Sequence, residues 1–201
     1  VVFEVLNAAG VHQVPMVISI WDDKYGISVE NKDQTIKEDI SEALSGFKRT
    51  PQKKGFEILT VNGWDYPDLI NTYQKASDIA RVEHVPVIVH VRELTQPIGH
   101  STSGSHERYK SKDRLEWEKV NDCNLKMRQW IIDNSISNDN ELTKIESQCK
   151  DYVKVSKKEA WETYINPILK TRNEYIHILD NLSKKFQEYD LNILSSELSR
   201  I

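Results

Sequence analysis

The sequence predicts an α/β fold, a parallel sheet followed by a helical extension. Three observations predict it. Helix-period patterns alternate with short apolar runs as far as Val91. The gaps between those runs are long enough for the right-handed crossovers that join parallel strands. From Asp113 onward the chain is charged, and its apolar residues recur only at helical spacing. The expected organisation is an α/β domain over residues 1–112, with a loop over 94–112, and a helical extension over 113–201.

Each element has its own signal. Val2, Val5, Leu6 and Ala9 form one stripe, the end of a helix. The chain opens inside that pattern without a Met, so a natural start upstream is expected. Residues 15–21 read as a strand, and the unbroken apolar run Met16-Val17-Ile18-Ser19-Ile20-Trp21 suggests burial on both faces. Residues 35–46 predict a helix with Ile36, Ile40, Ala43 and Leu44 on one face, stopped at Gly46. Residues 56–61 are a strand by alternation, broken at Asn62-Gly63. Residues 68–82 form the next helix, and residues 86–91 a third strand, rich in Val and Ile. The segment 94–112 has one proline, two glycines and no periodic face. A loop of that length inside a domain usually has a function or no fixed structure. Beyond it, Leu115, Val120, Cys123, Met127, Trp130 and Ile131 mark one helix. Asn138 or Asp139 caps another over residues 141–164, and Pro167 suits the first turn of a last helix running toward Ile201.

Bulk composition excludes several classes. The 27 basic and 31 acidic side chains leave a net charge of −4. No basic stripe is present to displace counterions, so nucleic acid is not an expected partner. No apolar run is long enough to span a bilayer and no signal peptide is visible. Two cysteines, Cys123 and Cys149, make no disulfide framework and suit a reducing, cytoplasmic setting; Cys123 reads as a small buried side chain. The six histidines lack zinc-ligand spacing, and no GxSxG elbow supports a hydrolase.

Ligands of open α/β sheets sit at the carboxyl ends of the strands. Two groups fall there. Asp22-Asp23-Lys24-Tyr25-Gly26-Ile27-Ser28 follows the first strand directly. A carboxylate and a nearby carbonyl offer the hard oxygens that Mg²⁺ or Ca²⁺ takes; the same residues also describe an ordinary acidic turn. Gly99-His100-Ser101-Thr102-Ser103-Gly104-Ser105-His106, with Arg108, Tyr109 and Lys110, is rich in donors that suit a phosphate; it also describes a solvated loop.

These fragments occur in a particular order. Phe3-Glu4-x-x-Asn7-x-Ala9 precedes the first strand, and Asp22 to Ser28 ends it. Val61-Asn62-Gly63-x-Asp65 follows, then Ala80-Arg81 with Pro86, then Gly99 to Ser103 and Tyr109-Lys110. The set resembles the alpha subunit, or alpha-like half, of the 2-oxo-acid dehydrogenase E1 family over about residues 2–135. The Gly-His-Ser-Thr-Ser pattern resembles the branched-chain members most.

The resemblance implies part of the thiamine-diphosphate-binding fold, with Mg²⁺ tethering the diphosphate. The family's metal motif opens with Gly-Asp-Gly and closes in Asn-x-Tyr after a buried strand. Here the closing step is Asp23-Lys24-Tyr25, which implies the Asp23 side chain and the Tyr25 carbonyl as metal ligands. Aspartate in place of asparagine adds a negative charge beside the diphosphate. The opening aspartate would fall before Val1. Ile27 is implied as a cofactor contact, and His100 as the loop histidine that reaches the diphosphate and positions the reacting group. Ser101 matches a serine that mitochondrial relatives phosphorylate, where added charge would repel the cofactor. Ser103 and Tyr109 match loop-ordering hydroxyls, and Gly104 replaces the family's usual aspartate. The carboxylate that activates the thiamine ring comes from the beta subunit or a fused beta-like half, so Glu4 reads as a structural or interface group. The implied activity is decarboxylation of a small 2-oxo acid and transfer of the acyl group to a lipoyl arm of E2, in an oligomer. A transketolase-like thiamine-diphosphate enzyme and a non-catalytic scaffold are the alternatives.

Overall fold

The computed structural model describes residues 2–101, 106–186 and 190–200. The chain forms two compact units, Val1–Ser137 and Asn138–Ile201. The sequence placed its boundary after residue 112.

In the first unit, helix α1 (Val2–His12) leads into strand β1 (Val17–Trp21). A small hairpin follows, β2 (Tyr25–Gly26) and β3 (Val29–Glu30). Then come a one-turn helix α2 (Ile40–Ala43), strand β4 (Glu57–Asn62), helix α3 (Tyr66–Val82) and strand β5 (Val87–Arg92). Helices α4 (Lys112–Val120) and α5 (Cys123–Asp133) complete the unit. The main sheet is parallel, in the order β1-β5-β4. Val17 pairs with Val87 and Trp21 with Val91 on one side; Glu57 pairs with Val87 and Asn62 with Arg92 on the other.

The strand buried on both faces is β5, not β1. Val87, Ile88, Val89 and His90 are wholly buried, while Val17 and Trp21 on edge strand β1 remain exposed. An apolar run fits either position, because periodicity does not say which strand the others flank. Two clusters cover the two faces of β5. Val87, Val89 and Val91 meet Ala76, Ile79 and Ala80 of α3, with Val61 and Val85. Ile88 meets Leu6 and Ala9 of α1, with Leu44 and Phe56. Each fully buried aliphatic or aromatic side chain contributes about 1.5–3 kcal/mol.

Three helical expectations change. Residues 35–46 are not one helix: Lys37 and Glu38 have positive φ (68° and 57°), which breaks the periodic face. Asp39 then starts a new turn by accepting from the Glu42 amide at 2.9 Å. The expected single helix through Leu115 and Ile131 is two, because the Asp122 carboxylate accepts from the amides of Asn124 and Leu125, both at 3.0 Å. Pro167 starts no helix. It lies inside the 47-residue helix α6 (Asp139–Lys185), which Asn138 caps through the Glu141 amide at 3.1 Å. Proline removes one donor from a helix interior, and the residues around it sustain the remaining bonds. In this second unit α7 (Leu191–Ser199) lies on α6, with the Ser195 hydroxyl donating to Asp180 at 2.6 Å.

Phe56 is wholly buried between the α1 side of the sheet and Leu44. Phe56→Ala should lower unfolding free energy by about 3–5 kcal/mol through cavity formation, read by urea denaturation; a loss within measurement error would show that this cluster does not anchor the sheet.

Candidate functional site at the carboxyl ends of the strands

The parallel register brings the ends of β1, β5 and β4 to one edge. Main-chain bonds tie them there. The Asp22 amide donates to the Val91 carbonyl at 2.9 Å, the Leu94 amide to the Asp22 carbonyl at 3.1 Å, and the Gly63 amide to the Arg92 carbonyl at 2.7 Å. A Cβ on Gly63 would lie 2.3 Å from Leu94 Cδ2, so a side chain there would displace Leu94 at the third strand end.

Asp23 and Tyr25 meet as a local unit. The Tyr25 amide donates to Asp23 Oδ1 at 3.0 Å, and no described residue bonds the other carboxylate oxygen. Tyr25 faces Glu30 in the hairpin, flanked by the Gly26–Val29 pair and by the Asn31 amide donating to the Lys24 carbonyl at 2.9 Å. Residues at such a position direct their amide and carbonyl away from the partner strand. The Tyr25 carbonyl is therefore free of the ladder and on the edge that its amide shares with Asp23. One carboxylate and one carbonyl suit Mg²⁺, which is commonly held by one or two carboxylates with phosphates and waters. Among the described residues, no group of three or more His, Cys, Asp or Glu side chains forms a self-sufficient metal site. The residues present thus fit a metal held jointly with a phosphate ligand.

Ile27, at the hairpin tip, is exposed and has φ of 62°. A β-branched residue in that region is strained. Tyr109 comes to the same edge: its ring centroid lies 5.6 Å from that of Tyr25. Burial pushes the Tyr25 phenol above its usual value, so it stays protonated near neutral pH. Gly99 (φ 71°) stands against the Tyr109 hydroxyl and His106, leaving no room for a side chain. His100 and Ser101 follow that anchor and are exposed. No hydrogen bond joins His100 to Asp23 or Tyr25. Ser103 and Gly104 lie outside the described residues.

An ion network that sequence reading missed holds these parts together. Arg114 donates to the Leu94 carbonyl at 3.0 Å and to the Asp23 carbonyl at 3.3 Å. It also binds Glu93 and Glu118, each at 3.0 Å. Glu118 receives the Lys110 ammonium at 2.7 and 2.9 Å, and Lys110 also donates to the Gln96 carbonyl at 3.0 Å. Lys110 and Glu118 are almost fully buried. The signal was the spacing Lys110, Arg114, Glu118, which normally describes a solvated helix face. A second omission is His90, bonded to Ser41 at 2.8 Å and to Asp22 at 3.0 Å. Beside the edge opens a cavity of about 540 Å³ lined by Asp39, Ser41, Lys48, Thr60 and Arg92 among others.

Two carboxyls here are held below their ordinary values. The hydrogen bond from His90 lowers that of Asp22, against burial. Burial raises that of Glu93, but Lys24, 2.5 Å away, and Arg114 outweigh it. Both groups therefore stabilise the fold fully above the unfolded carboxylate value of about 4. That contribution is lost as pH falls through their lower folded values. Acid unfolding curves should steepen below about pH 4, and Glu93→Gln should flatten them; identical curves would remove Glu93 from the network. Lys110→Met removes one of the two cations that hold the buried Glu118, leaving only Arg114 on it, and should cost about 3–5 kcal/mol in denaturant unfolding. A cost below about 1 kcal/mol would place the pair among surface ion pairs.

The family model described as "Dehydrogenase E1 component" matches residues 1–168. The pyruvate dehydrogenase E1 component subunit alpha of Rickettsia bellii is 27% identical over 153 residues, 76% of this chain and 44% of the relative. The 2-oxoisovalerate dehydrogenase subunit alpha of Bacillus subtilis is 26% identical over 135 residues, 66% of this chain and 38% of the relative. The mitochondrial pyruvate dehydrogenase E1 subunit alpha of Dictyostelium discoideum is 24% identical over 159 residues, 79% and 40% of the two chains. The chain thus spans less than half the length of the relatives it matches. With a family match that runs through the sheet, the Asp23–Tyr25 turn and the His100 loop, this chain belongs to the dehydrogenase E1 component family, on its alpha-subunit side.

Proposed function

We propose that this chain supplies the metal-and-diphosphate side of a thiamine-diphosphate site in a 2-oxo-acid dehydrogenase E1 component. The observation that carries the reading is the Asp23–Tyr25 unit, a carboxylate oxygen and a ladder-free carbonyl at the carboxyl edge of a parallel sheet. Asp23 and the Tyr25 carbonyl would hold Mg²⁺, and the metal would offset the charge that aspartate adds beside a diphosphate. Ile27, exposed and strained at the hairpin tip, would meet the cofactor's body. Tyr109 orders the loop against Tyr25 and Gly99. His100, one residue past that anchor, would close over the diphosphate and hold the reacting group in place, with Ser101 beside it. Thiamine diphosphate, when bound, supplies the electron sink for decarboxylation.

The residues of this chain then do three things. They bind the diphosphate through the metal, orient it through the Asp23–Tyr25 turn, and exclude water through the loop. The carboxylate that activates the thiamine ring would come from an E1 beta subunit or a fused beta-like half, at an interface of the kind cofactor sites often occupy. The substrate is read as a small 2-oxo acid, of the branched-chain class by the Gly99–Ser103 pattern. The acyl product would pass to a lipoyl group on E2, in an oligomeric complex in the cytoplasm.

Calorimetric titration of the full-length natural protein should show thiamine diphosphate binding that requires Mg²⁺. In that protein His100→Ala should lower decarboxylation by about 10²-fold or more, the scale of a lost acid–base or positioning group, with unchanged urea unfolding. Cofactor binding indifferent to Mg²⁺, or a His100→Ala rate equal to wild type, would overturn the assignments. Comparison of 2-oxoisovalerate with pyruvate as substrates decides the branched-chain reading.

A further inference from the structure

Beneath the Asp23–Tyr25 turn lies a buried polar chain with no place in the proposed ligand set. His90 is on the central strand and wholly buried. Its Nδ1 lies 2.8 Å from the Ser41 hydroxyl, and its Nε2 lies 3.0 Å from Asp22 Oδ2. An ionised carboxylate only accepts, so Nε2 carries the proton that this bond needs. The second Asp22 oxygen accepts from the Lys24 amide at 2.7 Å. The Asp22 main chain is bonded on both sides to the end of β5, through Val91 and Leu94. Asp22 is thus held by four bonds, and the metal arm begins at the next residue.

The charged groups around the histidine are accounted for. Asp39 lies 3.9 Å from Nδ1 and is taken up by Arg92 at 3.1 Å. Arg92 itself approaches Nδ1 at 3.5 Å. His90 therefore joins three elements: the α2 turn through Ser41, the centre of the sheet, and the turn after β1. An imidazole between the serine and the carboxylate fills a buried position that an apolar side chain would leave with Asp22 underbonded.

We propose that His90 is a positioning residue for the metal arm: it fixes the Asp22 carboxylate, which fixes the Lys24 amide, which sets the direction in which Asp23 and the Tyr25 carbonyl present their oxygens. The inference rests on the reading of those two groups as Mg²⁺ ligands. Partners that orient metal ligands from behind typically govern metal affinity by about 10–100-fold.

The test uses the full-length protein, with Mg²⁺ titrated at saturating thiamine diphosphate and amide exchange of Lys24 followed without metal. His90→Leu should weaken Mg²⁺ by about 10-fold or more and speed Lys24 exchange. His90→Gln, whose amide can donate to Asp22, should restore most of both. Wild-type Mg²⁺ affinity and exchange in His90→Leu would overturn the proposal, as would a His90→Gln variant no better than His90→Leu. If His90→Leu does not fold, Asp22→Asn sets its amide donor against either Nε2 or the Lys24 amide and should produce the same loss; unchanged affinity there would overturn it. Wild-type protein that binds the cofactor without Mg²⁺ overturns the ligand reading itself, and this inference with it.

Discussion

The site depends on one guanidinium. Arg114 projects from a helix more than ninety residues beyond β1, yet it donates to carbonyls at the ends of both β1 and β5. Strand ends in an open sheet leave such carbonyls without ladder partners, and buried ones must be satisfied from elsewhere. Arginine does this well because its planar fork carries five donors at fixed angles. Its charge is balanced by Glu93 and Glu118, and Glu118 in turn fixes Lys110 and, through it, the Gln96 carbonyl. One network therefore sets the Asp23 turn, the start of the loop and the docking of α4. A buried network of this kind adds little net stability over apolar packing, but leaves few alternatives for the groups it joins.

That network acts on a frame made by the parallel register. β5 lies between β1 and β4, so three chain segments leave the sheet at the same edge. The two apolar clusters grip β5 from both faces and hold that edge rigid. On this frame sit features that a stable core alone would not need: Ile27 with a strained backbone, an exposed His100, and a Tyr25 carbonyl outside the hairpin ladder. Strain and open oxygens at the end of a rigid sheet are where ligand chemistry is expected.

Much of the fold was legible because burial leaves a periodic trace. The three strands and α3 fell close to their expected places, since Val- and Ile-rich runs between turn residues admit few readings. The helices were less legible. Asp39 and Asp122 start new turns through side-chain bonds, and such caps compete with the apolar period that marked the longer helices. Pro167 was read as a boundary, but it interrupts only one bond of a long helix. For the site, Asp23, Tyr25 and Tyr109 were named from motif order and do lie together. Arg114, Glu118 and His90 were not named, because a charged helix face and a histidine within a strand resemble ordinary residues until their partners are known.

By itself the sequence determined the alternation of helix and strand, the acidic turn after β1 and the family it resembles, since these rest on local composition and on motif order along one chain. Only the tertiary structure decided that β5 rather than β1 is the central strand. It alone decided that Lys110 and Glu118 are buried rather than solvated, and that His90 reaches Asp22 from another strand. The reason is physical: local preferences act within a few residues, whereas the bonds at this edge join positions tens of residues apart, and their worth depends on a dry environment that exists only after the sheet has formed.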